Sequence, residues 1–295
     1  MDINIVIGTI LNGLTAGGLY ALVAISFGVV YRTTQVFNFA QGDFAALGAY
    51  LCFAAVVRLG QPYWLGMIVG CVGVGLLGIG VERVVLRKLY RLGSVYTFIA
   101  TIGLALAIQA AIRLIWGPIT QTIPTAFGSA PITILGISLV PERLWILALS
   151  AILAATLFAY FKFTRFGTAM RAAAQNRQVA SLLGIHVNRT FMAAFFLSGS
   201  VGAFAGILIA PTTFLVPTMG GLVGTPGMVA ALIGGLGSMP GAIVGGLLVG
   251  LVQALAVLLI APQYGPIATF AVFVLVLLWK PSGIFGEEAT TGRLV

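Results

Sequence analysis

Charged side chains are scarce in this sequence. Only 15 lysines and arginines and 6 aspartates and glutamates occur among its 295 residues, a charged fraction of 7%, whereas 60% of the residues are hydrophobic. A soluble globular protein carries about 25% charge, so this chain has too little polar surface to face water on every side. The composition excludes a soluble enzyme and predicts a membrane protein.

Other absences narrow the function further. The two cysteines, Cys52 and Cys71, lie in apolar runs, which excludes a disulfide framework and a CxxC metal site. The single histidine, His186, cannot build a metal site or a proton relay alone. No lysine follows a GxxxxG phosphate-binding sequence. The chain is therefore not expected to be an enzyme, and a transporter of this kind must take its free energy from another subunit.

Basic residues outnumber acidic ones, and the membrane explains the excess. The net charge is +9 and the pI near 10.1, yet the basic residues are dispersed among apolar runs, which argues against nucleic-acid binding. Twelve of the fifteen fall on one side of the predicted helix ends, most of them in 82–94 and 162–189. The positive-inside rule makes that side cytoplasmic.

Long apolar runs predict an all-α, polytopic bundle with eight or nine membrane passages in one domain, 1–295. The N-terminus is expected outside and the C-terminus in the cytoplasm. From 190 to 279, ninety residues contain no charge and no histidine. Prolines divide this run, and the twelve residues 227–238 predict a half-helix or a tilted, buried helix. The other predicted passages are 3–31, 33–57, 59–81, 92–112, 144–161, 190–210, 241–261 and 264–279.

One acidic residue, Asp43, falls inside a predicted membrane segment. It ends a polar cluster with Asn38, Gln41 and Gly42. Such a cluster indicates a broken helix lining a cavity, and an intramembrane carboxylate is a functional-site hypothesis. Asp43 fits the N-cap of a helix starting at Phe44 equally well, and the two roles can coexist. Asn38, Gln41, Gly42 and Asp43 are thus the candidates for a pore or gate.

Glycine is frequent, with 39 residues that often recur four positions apart, as in the pair Gly202 and Gly206. This spacing predicts close helix packing, although a role in helix movement during transport stays open. Gln109 and Gln253 are lone polar side chains within predicted spans. Both are expected to form hydrogen bonds between helices.

The segment 162–189 is the most informative polar stretch. Asn176 is placed to cap a second short helix, and Gly184 is placed to end it. That helix has one apolar face, formed by Val179, Leu182 and Leu183. The face needs cover from either the membrane interface or a groove of a soluble partner, and composition does not choose between them.

Several stretches, in order along the chain, resemble the permease subunits of branched-chain amino acid type ABC importers, a family that also includes urea and amide permeases. They read GLYALVA (18–24), VFNFAQGD (36–43), GAY (48–50), RFG (165–167), MRA (170–172), ASLLGI (180–185), GGLGSMPGA (234–242) and KPSGIFG (280–286). Relatives often have His-Gly-Glu where this chain has Gln41-Gly42-Asp43, which keeps a polar residue and an acid at the break but shortens the acid.

The resemblance implies that 164–189 docks into an ATP-binding subunit. Where many permeases have Glu-Ala-Ala, this chain has Ala172-Ala173-Ala174, so no acidic coupling contact is implied. The coupling residues carried over are Arg165, Gly167, Met170, Arg171, Ala180, Leu182, Leu183 and Gly184.

The resemblance also implies a set of partners in a bacterial cytoplasmic membrane. They are a second homologous permease, two ATP-binding subunits that hold ATP and magnesium, and an extracytoplasmic solute-binding protein. This chain is expected to bind no cofactor and to form half of an alternating-access pore for branched-chain or other hydrophobic amino acids. The external loop 117–142 is a docking surface or an ordered lid. Urea or short amides are alternative solutes, and an ion-coupled carrier using Asp43 is an alternative mechanism.

Overall fold

The computed structural model describes residues 3–90, 92–125, 128, 132–134 and 137–286. Helices dominate, which confirms the predicted all-α bundle. They are α1 (Ile3–Thr34), α2 (Gln41–Phe53), α3 (Tyr63–Val81), α4 (Arg87–Leu89), α5 (Ser94–Trp116), α6 (Pro141–Phe163), α7 (Arg165–Gln175), α8 (Arg177–Leu182), α9 (Val187–Ile209), α10 (Gly220–Gly234), α11 (Met239–Leu259) and α12 (Tyr264–Trp279). Short π-helical turns extend α2 through Ala54–Arg58 and join α3 to α4 through Glu82–Leu86.

Among the residues that the structure describes, six helical stretches are long and apolar enough to cross a membrane. Each of these stretches contains one long helix, and these helices are α1, α3, α5, α6, α9 and α11. The shorter helices α10 and α12 are apolar as well, and with the short helix α2 the described residues contain nine helices for the eight or nine predicted passages. Nine crossings place the outer ends of α1 and α12 on opposite sides of the membrane. Helix α1 is the centre of the bundle, since 78% of its apolar window is buried against 17% for α5.

The nine passages contain an internal repeat in inverted orientation. The contact between α1 and α11 corresponds to the contact between α9 and α3. In the same way, the contact between α2 and α9 corresponds to the contact between α10 and α1. Helix α5 packs against α2, and α12 packs against α10 in the corresponding way. The order α1, α2, α3, α5 is thus repeated by α9, α10, α11, α12, with α1 and α9 running in opposite directions. Repeats of this kind place their interface near the middle of the bilayer.

Glycines allow the repeated helices to approach each other, as their spacing predicts. A Cβ on Gly17 of α1 would lie 2.9 Å from the Leu247 Cα of α11. A Cβ on Gly199 of α9 would lie 2.9 Å from the Val74 carbonyl oxygen of α3. Helices without side chains at the contact gain backbone-to-backbone packing, which stabilises association in a bilayer.

The predicted half-helix is real, but its predicted bounds are wrong. Helix α10 runs from Gly220 to Gly234 and contains Pro226, whereas the sequence prediction placed a break there and a helix at 227–238. Proline costs one backbone hydrogen bond, and a membrane helix tolerates that loss where neighbouring helices surround it. The true break lies earlier, at the short 3-10 turn Ala210–Thr212 and the residues that follow it.

The external segment 117–142 lies partly outside the described residues, and its described residues include regular structure. Strands β1 (Ile132–Ile134) and β2 (Ile137–Leu139) pair antiparallel within it. Gln121 and Leu215 form a reciprocal backbone bridge that ties this segment to the turn after α9. Glu142 falls within the loop predicted at 117–142, but it lies in the first turn of α6 and is 3% exposed. Helix α6 begins earlier than its apolar run because Pro141 suits a first helical turn.

The ends that carry the basic residues meet on one side of the bundle. Arg32 Nη1 donates a hydrogen bond to the Gly237 carbonyl oxygen at 3.3 Å. Arg177 Nη2 donates to the Thr34 carbonyl oxygen at 2.9 Å. Two of the twelve basic residues, Arg91 and Arg293, lie outside the described residues. The shared side is the cytoplasmic one by the positive-inside rule.

Candidate functional site

A polar junction lies where the chain re-enters the bundle after α1. Residues 35–40 are not helical, and Gln41 starts α2. Asn38 Oδ1 accepts a hydrogen bond from the Ala40 backbone N–H at 3.2 Å, which fixes the turn into α2. Asn38 Nδ2 also donates to Gln41 Oε1 at 3.4 Å. The break in the helix predicted from this polar cluster is therefore present.

Two serines that the sequence analysis did not single out complete the junction. Gln41 Nε2 donates to the Ser198 carbonyl oxygen at 3.0 Å. The Ser198 hydroxyl lies 2.8 Å from the Ser26 carbonyl oxygen and 3.0 Å from Gln41 Oε1, so its single proton can serve either acceptor. Ser26 lies eight residues before the end of α1, about 12 Å along the helix axis. The junction is thus well inside the bundle.

Asp43 faces a partner from another helix. The amide nitrogen Nε2 of Gln109, on α5, donates to Asp43 Oδ1 at 2.9 Å. The N-cap interpretation of Asp43 is wrong, because α2 starts at Gln41 and its N-cap position is Ala40. Asp43 instead occupies the first turn of α2, where the helix dipole favours a carboxylate. The prediction that Gln109 bonds between helices is confirmed, as it is for Gln253, which accepts from the Tyr20 hydroxyl at 2.6 Å.

Gly42 brings the N-terminal ends of α2 and α10 together. A Cβ on Gly42 would lie 2.5 Å from the Gly220 carbonyl oxygen and 3.0 Å from the Gly224 Cα, so no larger residue fits. All four pore or gate candidates are buried, and even the carboxylate residue Asp43 is only 6% exposed. The structure thus brings the four candidates together at the interface of the two repeats.

The cytoplasmic segment folds into α7 and α8, each capped by the side chain before it. Thr164 Oγ1 accepts from the Gly167 N–H at 3.3 Å. Asn176 Oδ1 accepts from the N–H groups of Gln178 and Val179 at 2.9 and 3.0 Å. Gly184 ends the turn that follows α8 with φ +82°, a left-handed conformation that glycine adopts without strain. The predicted cap and the predicted stop are both confirmed.

Some of the predicted coupling residues anchor α7 and α8 to the bundle. Gly167, Met170 and Ala180 are buried, and a Cβ on Gly167 would collide with the Phe161 carbonyl. Arg171 Nη1 donates to the same Phe161 carbonyl oxygen at 2.7 Å. These contacts fix α7 against the cytoplasmic end of α6.

The remaining coupling residues face away from the bundle. Leu182 is 86% exposed, Leu183 74% and Val179 50%. Arg165 and Gly184 are exposed as well. An amphipathic helix normally buries its apolar side, whereas α8 turns that side outward. The outward apolar face is the feature of this segment that calls for a partner.

A cytoplasmic cavity of about 950 Å³ opens beside α7. Arg32, Lys162 and Arg171 line it, and no carboxylate is among the described residues in its wall. The turns after α10 and α12 close its other side. The four pore or gate candidates do not line this cavity. Its positive wall continues the basic character of the cytoplasmic face.

Comparison with known proteins gives a consistent result. A family model described as the permease component of branched-chain amino acid transport systems matches residues 9–277. The high-affinity branched-chain amino acid transport system permease protein LivH of Salmonella typhimurium is 33% identical over 94% of both chains. Protein BraD of Pseudomonas aeruginosa, with the same description, is 30% identical over 94% of this chain and 95% of its own. The solved structure of PsaBC from Streptococcus pneumoniae in complex with Fab matches over 90% of both chains at 13% identity, with a TM-score of 0.47.

Proposed function

The chain belongs to the family of permease components of branched-chain amino acid transport systems, and from this membership we propose that it forms half of the pore of an ATP-driven importer. It is a multi-pass permease subunit of an ABC transporter in the cytoplasmic membrane. A second homologous permease completes the pore, and two ATP-binding subunits hold ATP and magnesium. A solute-binding protein delivers the solute from outside.

The outward apolar face of α8 is the observation that supports this proposal. Val179, Leu182 and Leu183 lie on the cytoplasmic side, where water would otherwise cover them. Exposed apolar patches of this kind mark interaction sites. The buried residues of α7 and α8 hold the face in a fixed position. A rigid apolar surface that projects on the cytoplasmic side can bind in a groove of an ATP-binding subunit.

The proposed mechanism is alternating access. Closure of the ATP-binding subunits moves α7 and α8, and the bundle changes the side to which the pore opens. Each step is a population shift, because ligands and nucleotide favour one conformation over another. The polar junction of Asn38, Gln41, Gly42 and Asp43 joins the two repeats and is the proposed gate region.

Hydrophobic amino acids, branched-chain ones first, are the proposed solutes. The names of the relatives support this choice. Asp43 is already hydrogen-bonded to Gln109, and the buried junction offers no second acid to an incoming ion. This arrangement argues against an ion-coupled carrier. Urea and short amides remain the alternative solutes.

Photocrosslinking from position 182 tests the docking proposal. We expect a benzophenone attached to Leu182→Cys to capture the ATP-binding subunit in the assembled complex. Cys52 and Cys71 are replaced by alanine beforehand so that only one thiol reacts. Leu114→Cys is the control, because Leu114 is 87% exposed but lies at the external end of α5. Equal capture from both positions, or none from position 182, would contradict docking through α8.

A further inference from the structure

Arg177 links four parts of the structure with one side chain. It is the first residue of α8, and its Nη2 donates to the carbonyl oxygen of Thr34, the last residue of α1, at 2.9 Å. Its guanidinium carbon lies 5.5 Å from the ring centre of Tyr90 and 5.0 Å from that of Phe191. Tyr90 follows α4, and Phe191 belongs to α9. By helical periodicity alone, Arg177 falls opposite the apolar face of α8, and nothing local in the sequence predicts these contacts.

Each of these contacts is favourable on physical grounds. The last carbonyls of a helix lack partners within the helix, and a cation there also complements the negative end of the helix dipole. Arg177 thus acts as a C-terminal cap on α1, supplied from a different helix. The two aromatic rings meet edge to face at 5.8 Å, and a guanidinium over such rings is attracted to their faces. Burial raises the pKa of the Tyr90 phenol, so this ring stays neutral beside the arginine.

The capped end of α1 leads directly into the polar junction. Gln35, the next residue, has φ +59°, which only a few non-glycine residues adopt. The non-helical residues 35–40 then connect to Gln41 and Asp43. A displacement of Arg177 therefore acts on the point where α1 ends and the break begins.

Helix α8 depends on tertiary contacts for its position. It has only six residues, and a helix of that length is not stable alone. Its apolar side chains at 179, 182 and 183 face outward. Ala180 is buried against the bundle, and Arg177 reaches the bundle through its guanidinium although the residue as a whole is exposed. Of these two, Arg177 alone reaches α1.

We propose that Arg177 is the positioning residue that transmits movement of α8 to the end of α1 and so to the polar junction. The inference rests on the proposed function, because it assumes that an ATP-binding subunit moves α8. The inference adds a specific connection to that function. The guanidinium of Arg177, held by the Thr34 carbonyl and two aromatic rings, connects α8 to the end of α1.

The test compares Arg177→Ala with Arg189→Ala in the complete complex, reconstituted in vesicles. Arg189 lies in the same segment and is exposed like Arg177, but its side chain makes no hydrogen bond or ion pair with the residues that the structure describes. ATP-dependent leucine uptake and ATP hydrolysis are measured together. We expect Arg177→Ala to lower uptake about tenfold while hydrolysis changes less than about twofold. Arg189→Ala should leave both values at the wild-type level.

The possible outcomes separate this inference from the proposed function. Uptake by Arg177→Ala equal to that of Arg189→Ala would overturn the inference. A parallel loss of uptake, hydrolysis and subunit assembly would also overturn it, because Arg177 would then only support the fold. If Arg177→Ala fails to accumulate, Arg177→Lys is measured in its place. Lysine keeps a charge and a hydrogen-bond donor but lacks the planar guanidinium. A ratio of uptake to hydrolysis equal to that of the wild type would then refute transmission through Arg177. Absence of ATP-dependent uptake in the wild type would instead refute the proposed function.

Discussion

Replacing Leu182 and Leu183 together by aspartate should detach the ATP-binding subunits and abolish uptake. Burial of one leucine contributes about 1.5–3 kcal/mol, so losing two weakens the interface by about 3 kcal/mol or more. That corresponds to an affinity at least about 100-fold lower. Because both side chains face away from the bundle, the permease itself should still fold. Co-purification with the ATP-binding subunits and ATP-dependent uptake are the measurements.

The matched control adds the same charge to the same helix without removing apolar surface. Gln178→Asp with Ser181→Asp meets this condition, since both positions are exposed and polar. This double variant should retain assembly. If it loses assembly to the same degree as the leucine variant, charge rather than the apolar face governs docking, and the proposed contact is wrong.

Gly206→Ala should destabilise the fold more than any change on the surface. A Cβ at position 206 would overlap the Ala45 carbonyl of α2, at one of the closest contacts between α9 and α2. The helices must separate or bend, which costs about 1–3 kcal/mol for a small group added to a packed interior. The expected results are a lower Tm in detergent micelles and poorer accumulation in the membrane.

Gly103→Ala is the control for this substitution. Gly103 lies in the middle of α5, and a Cβ there would have no neighbour within 4 Å. Alanine is also the better helix former, by about 1 kcal/mol. The Tm of Gly103→Ala should therefore equal or exceed that of the wild type. A Gly206→Ala variant as stable as Gly103→Ala would show that α2 and α9 are not closely packed.

Much of the fold follows from apolar runs and their limits. Helix α12 has the predicted bounds because Pro262 and Lys280 flank a charge-free run. Helix α10 differs from its predicted bounds because proline in a sequence predicts a break, whereas tertiary packing keeps Pro226 inside a helix. The inverted repeat could not be predicted, since it depends on contacts such as Gly17 with Leu247 that join distant parts of the chain.

The candidate site was only partly predictable for a similar reason. Capping residues act on the neighbouring backbone, so Asn176 and Gly184 predicted α8 correctly. Partners far along the chain leave no local signal. Gln109 was recognised as a hydrogen-bonding residue, but its partner Asp43 is 66 positions away. The role of Arg177 depends on a carbonyl 143 positions away, whereas periodicity predicts only that Arg177 lies opposite the apolar face of a short helix.

ATP-dependent uptake in reconstituted vesicles tests the central claim most directly. The vesicles contain this chain with its second permease, the ATP-binding subunits and the solute-binding protein, and radiolabelled leucine, urea and a short amide are offered in parallel. The account predicts that leucine accumulates only when ATP is supplied to the side of the ATP-binding subunits. Uptake without ATP that follows a proton or sodium gradient, and that Asp43→Asn abolishes, would contradict it.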